Sequence, residues 1–444
     1  VAGGDISISR NEGTSSFGEA VTLDESPLDP AVLWVGYDDG NLQVSRNGGT
    51  SWAEVSGNVP GIGEATYVSR IVASSTAAGT AYATFDAHRD GDFRPYVYRT
   101  RDFGSSWEPL HADLPEMGSV NVLVEHPDNP NTLFVGTEHH VFASTNAGGS
   151  WARVPNLPTT NYDDMVIHPR EKDLVIGSHG QGVWVLDDTR AIAEWGEATA
   201  PVTVFSAPLG TIKLWKKDTS YRGQDKYAGT NPVDGVEITY RLMNGSGNAT
   251  MRVHGADGSV VLELTVPGET GTHRVNWDLR HDGPGVSDEW TRHDSPVLAR
   301  SIESWGPWVS PGTYTVAIEA GGQRGETTVE VRGDPEMPML TQEMYESREQ
   351  FMLDAIALTT QIADVMRENG MNAGGGGFGF RGPAGPPRTP EDMLRVARRM
   401  TQQIYGALNG GGVRPGSLYP PTQTQREQLE RARDLVADAL AEMG

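Results

Sequence analysis

The stretch STNAGGSW, Ser144 to Trp151, decides the fold because it is one of three near copies. SRNGGTSW runs from Ser45 to Trp52 and TRDFGSSW from Thr100 to Trp107. Each copy closes a longer unit: a Pro-rich turn, an apolar strand, a short polar turn, an alternating strand and then the octet. Pro27 to Trp52 and His126 to Trp151 match in this order throughout. Ser75 to Phe85, resuming at YVYRTRDFGSSW, is a further copy. His168 to Asp188 is another, with a degenerate octet at its end. The three tryptophans are 55 and 44 residues apart. A period near 45 residues with about four strands per unit is the pattern of propeller blades. About four blades fit within residues 1–195, and they read as part of a larger ring.

The octet itself reads as architecture. Asn47, Asp102 or Asn146 is placed to bond the N–H groups of its own turn. Gly49, Gly104 and Gly148–Gly149 supply positive φ at the reversal. Trp52, Trp107 and Trp151 are expected to lay large rings over an adjoining sheet.

The pattern S/T-x-D/N-x-G-x-S/T-W resembles the Asp box of sialidase-type propellers. Together with GDFRPYVYRTRDFGSSW, HPDNPNTLFVGTEHHVF and LVIGSHGQGVWVLDD, in that order, the text is similar to bacterial secreted BNR-repeat proteins, the sortilin-like "glycosyl hydrolase" propeller family. That resemblance implies a secreted, periplasmic or cell-surface location. Relatives of this type have longer chains, so upstream blades are expected on a lost segment, an N-terminal fragment or a second chain that completes the ring. SISRNEGTSSF, near the start, resembles a damaged octet, and the chain opening at Val1 reads as a processed form or fragment.

Composition agrees with a mainly β protein. The chain has 444 residues, 37% of them hydrophobic, with 54 Gly and 28 Pro. That length calls for several domains, and the Gly and Pro content favours short strands and turns. The net charge of −24 repels nucleic-acid phosphates and anionic lipid, so neither is expected as a partner. There is no cysteine, which excludes disulfides and thiolate chemistry. No run of about 18 apolar residues exists, so no membrane insertion is expected.

Residues 200–333 hold period-two runs with hairpin turns at Asp257–Gly258 and Gly321–Gly322, which suggests an immunoglobulin-like sandwich of about seven strands. HRVNWDLR followed by SPGTYTV is similar to the Ig-like domain of flagellar hook-capping proteins. Trp277 reads as a core ring, whereas Trp290, Trp305 and Trp308 flank an insert. Residues 338–444 read as a helical tail. One helix starts after Thr341, a second opens at Thr389-Pro390, and a third is expected at a capping box, Thr424-x-x-Glu427. A Gly/Pro-rich linker at 370–388 is expected to be disordered. A Met stripe (Met344, Met352, Met366, Met393, Met400) reads as core.

Chemistry is expected on the turns that precede the octets, which share the opposite face of the blades. They carry Asp38 and Asp39; Asp86, His88, Asp90, Asp92 and Arg94; Glu138, His139 and His140; and His179. Three readings follow. Asp38, Asp39, Asp86, Asp90 and Glu138 are the candidate catalytic acids of a glycoside hydrolase, retaining or inverting, which needs a carboxylate pair at about 5 or about 6.5–9.5 Å. His88, Asp90, Asp92, Glu138, His139 and His140 are candidate ligands for a divalent cation such as calcium. Alternatively these are solvated turns on a scaffold, with His88, Asp92, Arg94, His139, His140 and His179 placed to bind a polypeptide or glycan or to join an extracellular assembly, as an oligomer. The binding module is the leading expectation and the hydrolase the alternative. No phosphate loop, G-x-S-x-G or HExxH is present.

Overall fold

The computed structural model describes residues 18–63, 65–215, 229, 231–283, 306–371, 386–410 and 416–443. The chain divides into two compact units, Val1–Thr199 and Ala200–Gly444.

The first unit is a set of propeller blades. Strands β1 (Ala20–Glu25), β2 (Leu33–Tyr37), β3 (Leu42–Ser45) and β4 (Ala53–Glu54) form one antiparallel sheet. β5 (Tyr67–Ala73), β6 (Ala81–Asp86), β7 (Tyr96–Thr100) and β8 (Glu108–Pro109) form the second. β9 (Val120–His126), β10 (Asn129–Thr137), β11 (Val141–Ser144) and β12 (Ala152–Arg153) form the third. The fourth has three strands, β13 (Tyr162–Ile167), β14 (Leu174–Ser178) and β15 (Val183–Leu186). Where a fourth octet would lie, Asp188 instead accepts from Arg190, and a short helix, α1 (Arg190–Ala193), follows.

Within each sheet the strands pair in chain order, so every blade is a plain meander. The sheets pack face to face in the same order. Trp34, Leu42 and Val44 of the first share a core with Ile71, Ala83, Phe85 and Trp107 of the second. Tyr82 and Val97 of the second meet Leu123, Leu133 and Val135 of the third. Phe134 and Val141 of the third meet Met165, Leu174 and Ile176 of the fourth. Consecutive buried residues on the inner strands make this possible, since successive side chains point to opposite faces and both faces of a blade are covered.

The three octets repeat one hydrogen-bond pattern. Asn47 Oδ1 accepts from the Ser51 N–H at 2.9 Å, Asp102 Oδ1 from Ser106 at 2.9 Å, and Asn146 Oδ1 from Ser150 at 2.8 Å. The hydroxyls of Ser45, Thr100 and Ser144 each accept an N–H four residues on, at 2.9 Å. Positive φ falls at Gly48 and Gly49, Phe103 and Gly104, Ala147 and Gly148. Gly149, expected among them, is not; Ala147 takes that role with φ 59°. The tryptophans also differ from one another. Trp107 is buried and Trp151 half-buried, but Trp52 is exposed. The damaged octet near the start lies outside the described residues.

The second unit combines a sandwich with helices. One sheet has the order β16 (Val202–Val204), β18 (Val236–Leu242), β21 (Gly271–Trp277). The other runs β17 (Gly210–Thr211), β23 (Gln323–Arg332), β22 (Gly312–Ala320), β19 (Asn248–His254), β20 (Val260–Pro267). Eight strands are present among the described residues, one more than expected, because short β17 adds itself in parallel to β23. Trp277 is fully buried, with Tyr314 edge-on at 5.2 Å. Trp308 is buried beneath Arg280, while Trp290 and Trp305 lie outside the described residues.

Three helices follow: α2 (Gln342–Glu368), α3 (Pro390–Asn409) and α4 (Gln423–Met443). Thr341 and Thr389 cap the first two, accepting from Met344 and Asp392. The third begins two residues early, because Thr422, not Thr424, is the cap. Its Oγ1 accepts from the Gln425 N–H, and Gln425 Oε1 accepts from the Thr422 N–H at 2.8 Å. Met352 and Met366 are fully buried in the helical core, and Met393 and Met400 pack at its edge. Most of the Gly/Pro-rich linker lies outside the described residues.

Candidate functional site

Each pre-octet turn is tied to the connection that enters the same or the next blade. The Glu138 N–H donates to Ser119 O at 3.1 Å, the Thr160 N–H to His139 O at 3.3 Å, and the His179 N–H to Asn161 O at 2.8 Å. Turns and connections therefore share one rim, as the meander topology requires.

Along that rim the candidate acids serve their own loops. Asp38 is buried, and its Oδ1 accepts the Gly18 and Glu19 N–H groups at 2.7 and 2.8 Å. Asp39, also buried, accepts the Asn41 N–H. Asp86 accepts the His88 N–H at 2.9 Å where the single turn His88–Asp90 begins, and faces His88 Nδ1 at 2.5 Å. Asp90 is an exposed member of that turn. Asp92 is held by a bidentate Arg94 at 3.0 and 2.7 Å and by the Tyr96 hydroxyl at 2.7 Å. These donors, led by Arg94, keep its carboxyl well below the usual range. Glu138 Oε2 accepts the Ser119 N–H at 3.3 Å. His179 Nδ1 faces Asp163 at 3.2 Å. Among the described residues, no three His, Asp or Glu side chains gather in a way that would hold a metal ion.

The structure does bring two candidates together. His139 and His140 line a cavity of about 250 Å³ with Pro95, Leu114, Pro115, Met117, Gly118, Thr137 and Phe142. The cavity sits where the second blade's Pro95 loop, the Leu114–Gly118 connection and the third blade's turn converge. The Gly118 N–H donates to Phe93 O at 2.8 Å, which locks connection to loop. The Thr137 hydroxyl fixes the turn, donating to His140 O and accepting the His139 and His140 N–H groups. The His140 ring stands edge-on to His139 at 6.4 Å and to Phe142 at 6.2 Å. Burial, and then the charges of Arg153 and His139, hold His140 below the ordinary imidazole range. The His140 wall is therefore neutral at pH 7. Met117 is 63% exposed at the mouth, a large apolar side chain offered to solvent.

Sequence reasoning found the imidazoles and missed the apolar lining. Pro95, Leu114, Pro115 and Met117 lie on two separate segments, and only packing between blades joins them. The readable signal was Leu114 and Met117, two large apolar side chains within the connection HADLPEMGS.

No family model and no curated protein matches the chain. Solved structures with a similar trace include the extracellular domain of a hybrid two-component system from B. thetaiotaomicron, 8% identical, covering 71% of this chain and 38% of that one, with a TM-score of 0.30. An ancestral GH74 enzyme is 15% identical, with 71% and 41% covered and a TM-score of 0.30. YCF48 bound to a D1 peptide is 10% identical, with 71% and 83% covered and a TM-score of 0.30. The chain spans about two fifths of the length of the first two. What marks the blades is the order of their strands and the packing between their faces.

Proposed function

We propose that the blade unit is a binding scaffold of the BNR type, acting outside the cytoplasm. Its site is the cavity between the second and third blades, and its ligand is a polypeptide segment that inserts one apolar or aromatic side chain. The observation that carries this reading is the lining: Pro95, Leu114, Pro115, Met117 and Phe142 around a wall of paired imidazoles. Such a mixture of apolar surface and few polar groups suits a side chain better than a sugar ring, which needs many converging hydrogen bonds. The Thr137 hydroxyl, which also lines the cavity, is engaged by its own turn. Of the rim carboxylates that a hydrolase would use, Asp38, Asp39, Asp86 and Glu138 accept backbone N–H donors.

A peptide array tests this: Gly/Ser 12-mers carrying a single Trp, Phe or Leu, each compared with the all-Gly/Ser parent. Retention of the protein should depend on the apolar residue and fall roughly tenfold or more in Met117→Glu, as expected when a charge enters a small hot spot. Equal retention of Met117→Glu and the unaltered chain would overturn the reading. So would sugar release from a glycan panel that is lost in Asp86→Asn or Glu138→Gln; that result would establish the hydrolase.

A further inference from the structure

The repeat of the blades also defines a repeat of the contact between them, and both halves of that contact are left open. The second strands LWVGY, AYATF, LFVGT and LVIGS align Trp34, Tyr82, Phe134 and Val175. The first three are at most 1% exposed and pack on the following blade. Val175 holds the same place in the fourth blade, paired with Val166 on one side and Val185 on the other. Val166 is 58% exposed, Val185 53% and Val183, next on the same face, 69%. This forward face is built like the other three and covered by nothing described.

The rear half is exposed along β1 of the first blade, where Val21 is 40% exposed, although Val35 on β2 is buried. Leu23, Ile71, Leu123 and Met165 are equivalent by register with Val35, Ala83, Val135 and Ile176. The last three are at most 5% exposed, whereas Leu23 is 65% exposed. The octets agree. Trp107 lies 6.1 Å from Trp34 of the blade before it, and Trp151 Nε1 donates to Leu110 O of the blade before it at 2.7 Å. Trp52, with no described blade before it, is 40% exposed.

We propose that the forward face of the fourth blade receives the rear face of a first blade, and that in the isolated protein a second copy supplies it. The two faces are complementary halves of an interface the chain already makes three times, and one chain carries both. Two copies joined head to tail bury both faces of each and leave no open end, as a heterologous contact does when its rotation closes. The contact is apolar between chains that each carry −24, so added salt screens the repulsion and strengthens association.

Sedimentation velocity on the full chain, from low micromolar to high micromolar concentration, tests the assignment. We expect reversible dimers that grow with salt. Val185→Asp and Leu23→Asp should each weaken them by about tenfold or more. Both sites are surface positions, and unchanged circular dichroism confirms that each variant folds. Mixing the two variants should restore a heterodimer, because one intact forward face then meets one intact rear face. A monomer at every concentration, or self-association indifferent to both variants, would overturn the proposal; so would a mixed pair that stays monomeric.

Discussion

Gly104 and Gly49 occupy the same place in two copies of one octet, with φ of 81° and 82°. Their surroundings differ. A Cβ on Gly104 would stand 2.9 Å from the Val55 side chain of the preceding blade, whereas one on Gly49 would meet nothing closer than 3.7 Å. Gly49→Ala should therefore cost only the left-handed strain, about 1–2 kcal/mol. Gly104→Ala carries the same strain plus a contact that must be relieved by moving Val55, which is buried in the core of the first two blades. Urea denaturation should rank Gly104→Ala as clearly the more damaging change. Equal losses would mean that the octet glycine serves its turn alone and not the approach of neighbouring blades.

Elements were legible in the sequence to the extent that local chemistry set their ends. The octets gave away the blades because Asn47, Asp102 and Asn146 each bond within four residues, so their pattern survives without tertiary knowledge. The start of α4 was harder, since Thr422-x-x-Gln425 and Thr424-x-x-Glu427 both satisfy the capping-box rule. The structure uses the earlier pair, which follows Pro420–Pro421, where the chain cannot yet be helical. Thr422→Ala should thus cost about 1 kcal/mol of stability, and Thr424→Ala, an exposed position inside the first turn, little or none. Thermal melts followed at the helical circular-dichroism band would separate the two; a larger loss at Thr424 would place the cap where the sequence first suggested. The candidate cavity was only half legible for the opposite reason. His139 and His140 lie on one turn, but Leu114, Met117 and Pro95 reach them through packing between sheets.

At the scale of the whole molecule, each unit has its own core, and the second unit joins a sandwich to a helical bundle through buried polar groups. Arg348, fully buried on α2, donates to Ser417 O at 2.8 Å and Leu408 O at 3.0 Å. Burial, and then the nearby Arg280, pull it down to about 10, still charged at neutral pH. Arg280 donates to Asn409 Oδ1 at 2.6 Å, fastening the end of α3 to the sandwich. Glu349 adds a titratable tie: it faces His281 Nε2 at 2.5 Å and accepts the Ser310 N–H at 3.0 Å. Burial alone would raise its carboxyl, but His281 and Ser310 outweigh burial and leave it below the usual glutamate value. A lowered carboxylate stabilises the fold fully above its ordinary value, about 4.5, and that contribution is lost as pH falls through the lower folded value. The long helices described all lie in this unit, so helical circular dichroism during urea denaturation reports on it. The midpoint of the unaltered protein should hold from pH 7 to about pH 5 and drop between about pH 5 and about pH 3. Glu349→Gln should start lower at pH 7 and fall less, because its amide has no charge to lose. If the variant matched the unaltered protein at pH 7, the carboxylate would not be what binds α2 to the sandwich, and the Arg280–Asn409 bond with the packing of Tyr345 and Leu418 in the sandwich core would hold the two layers together.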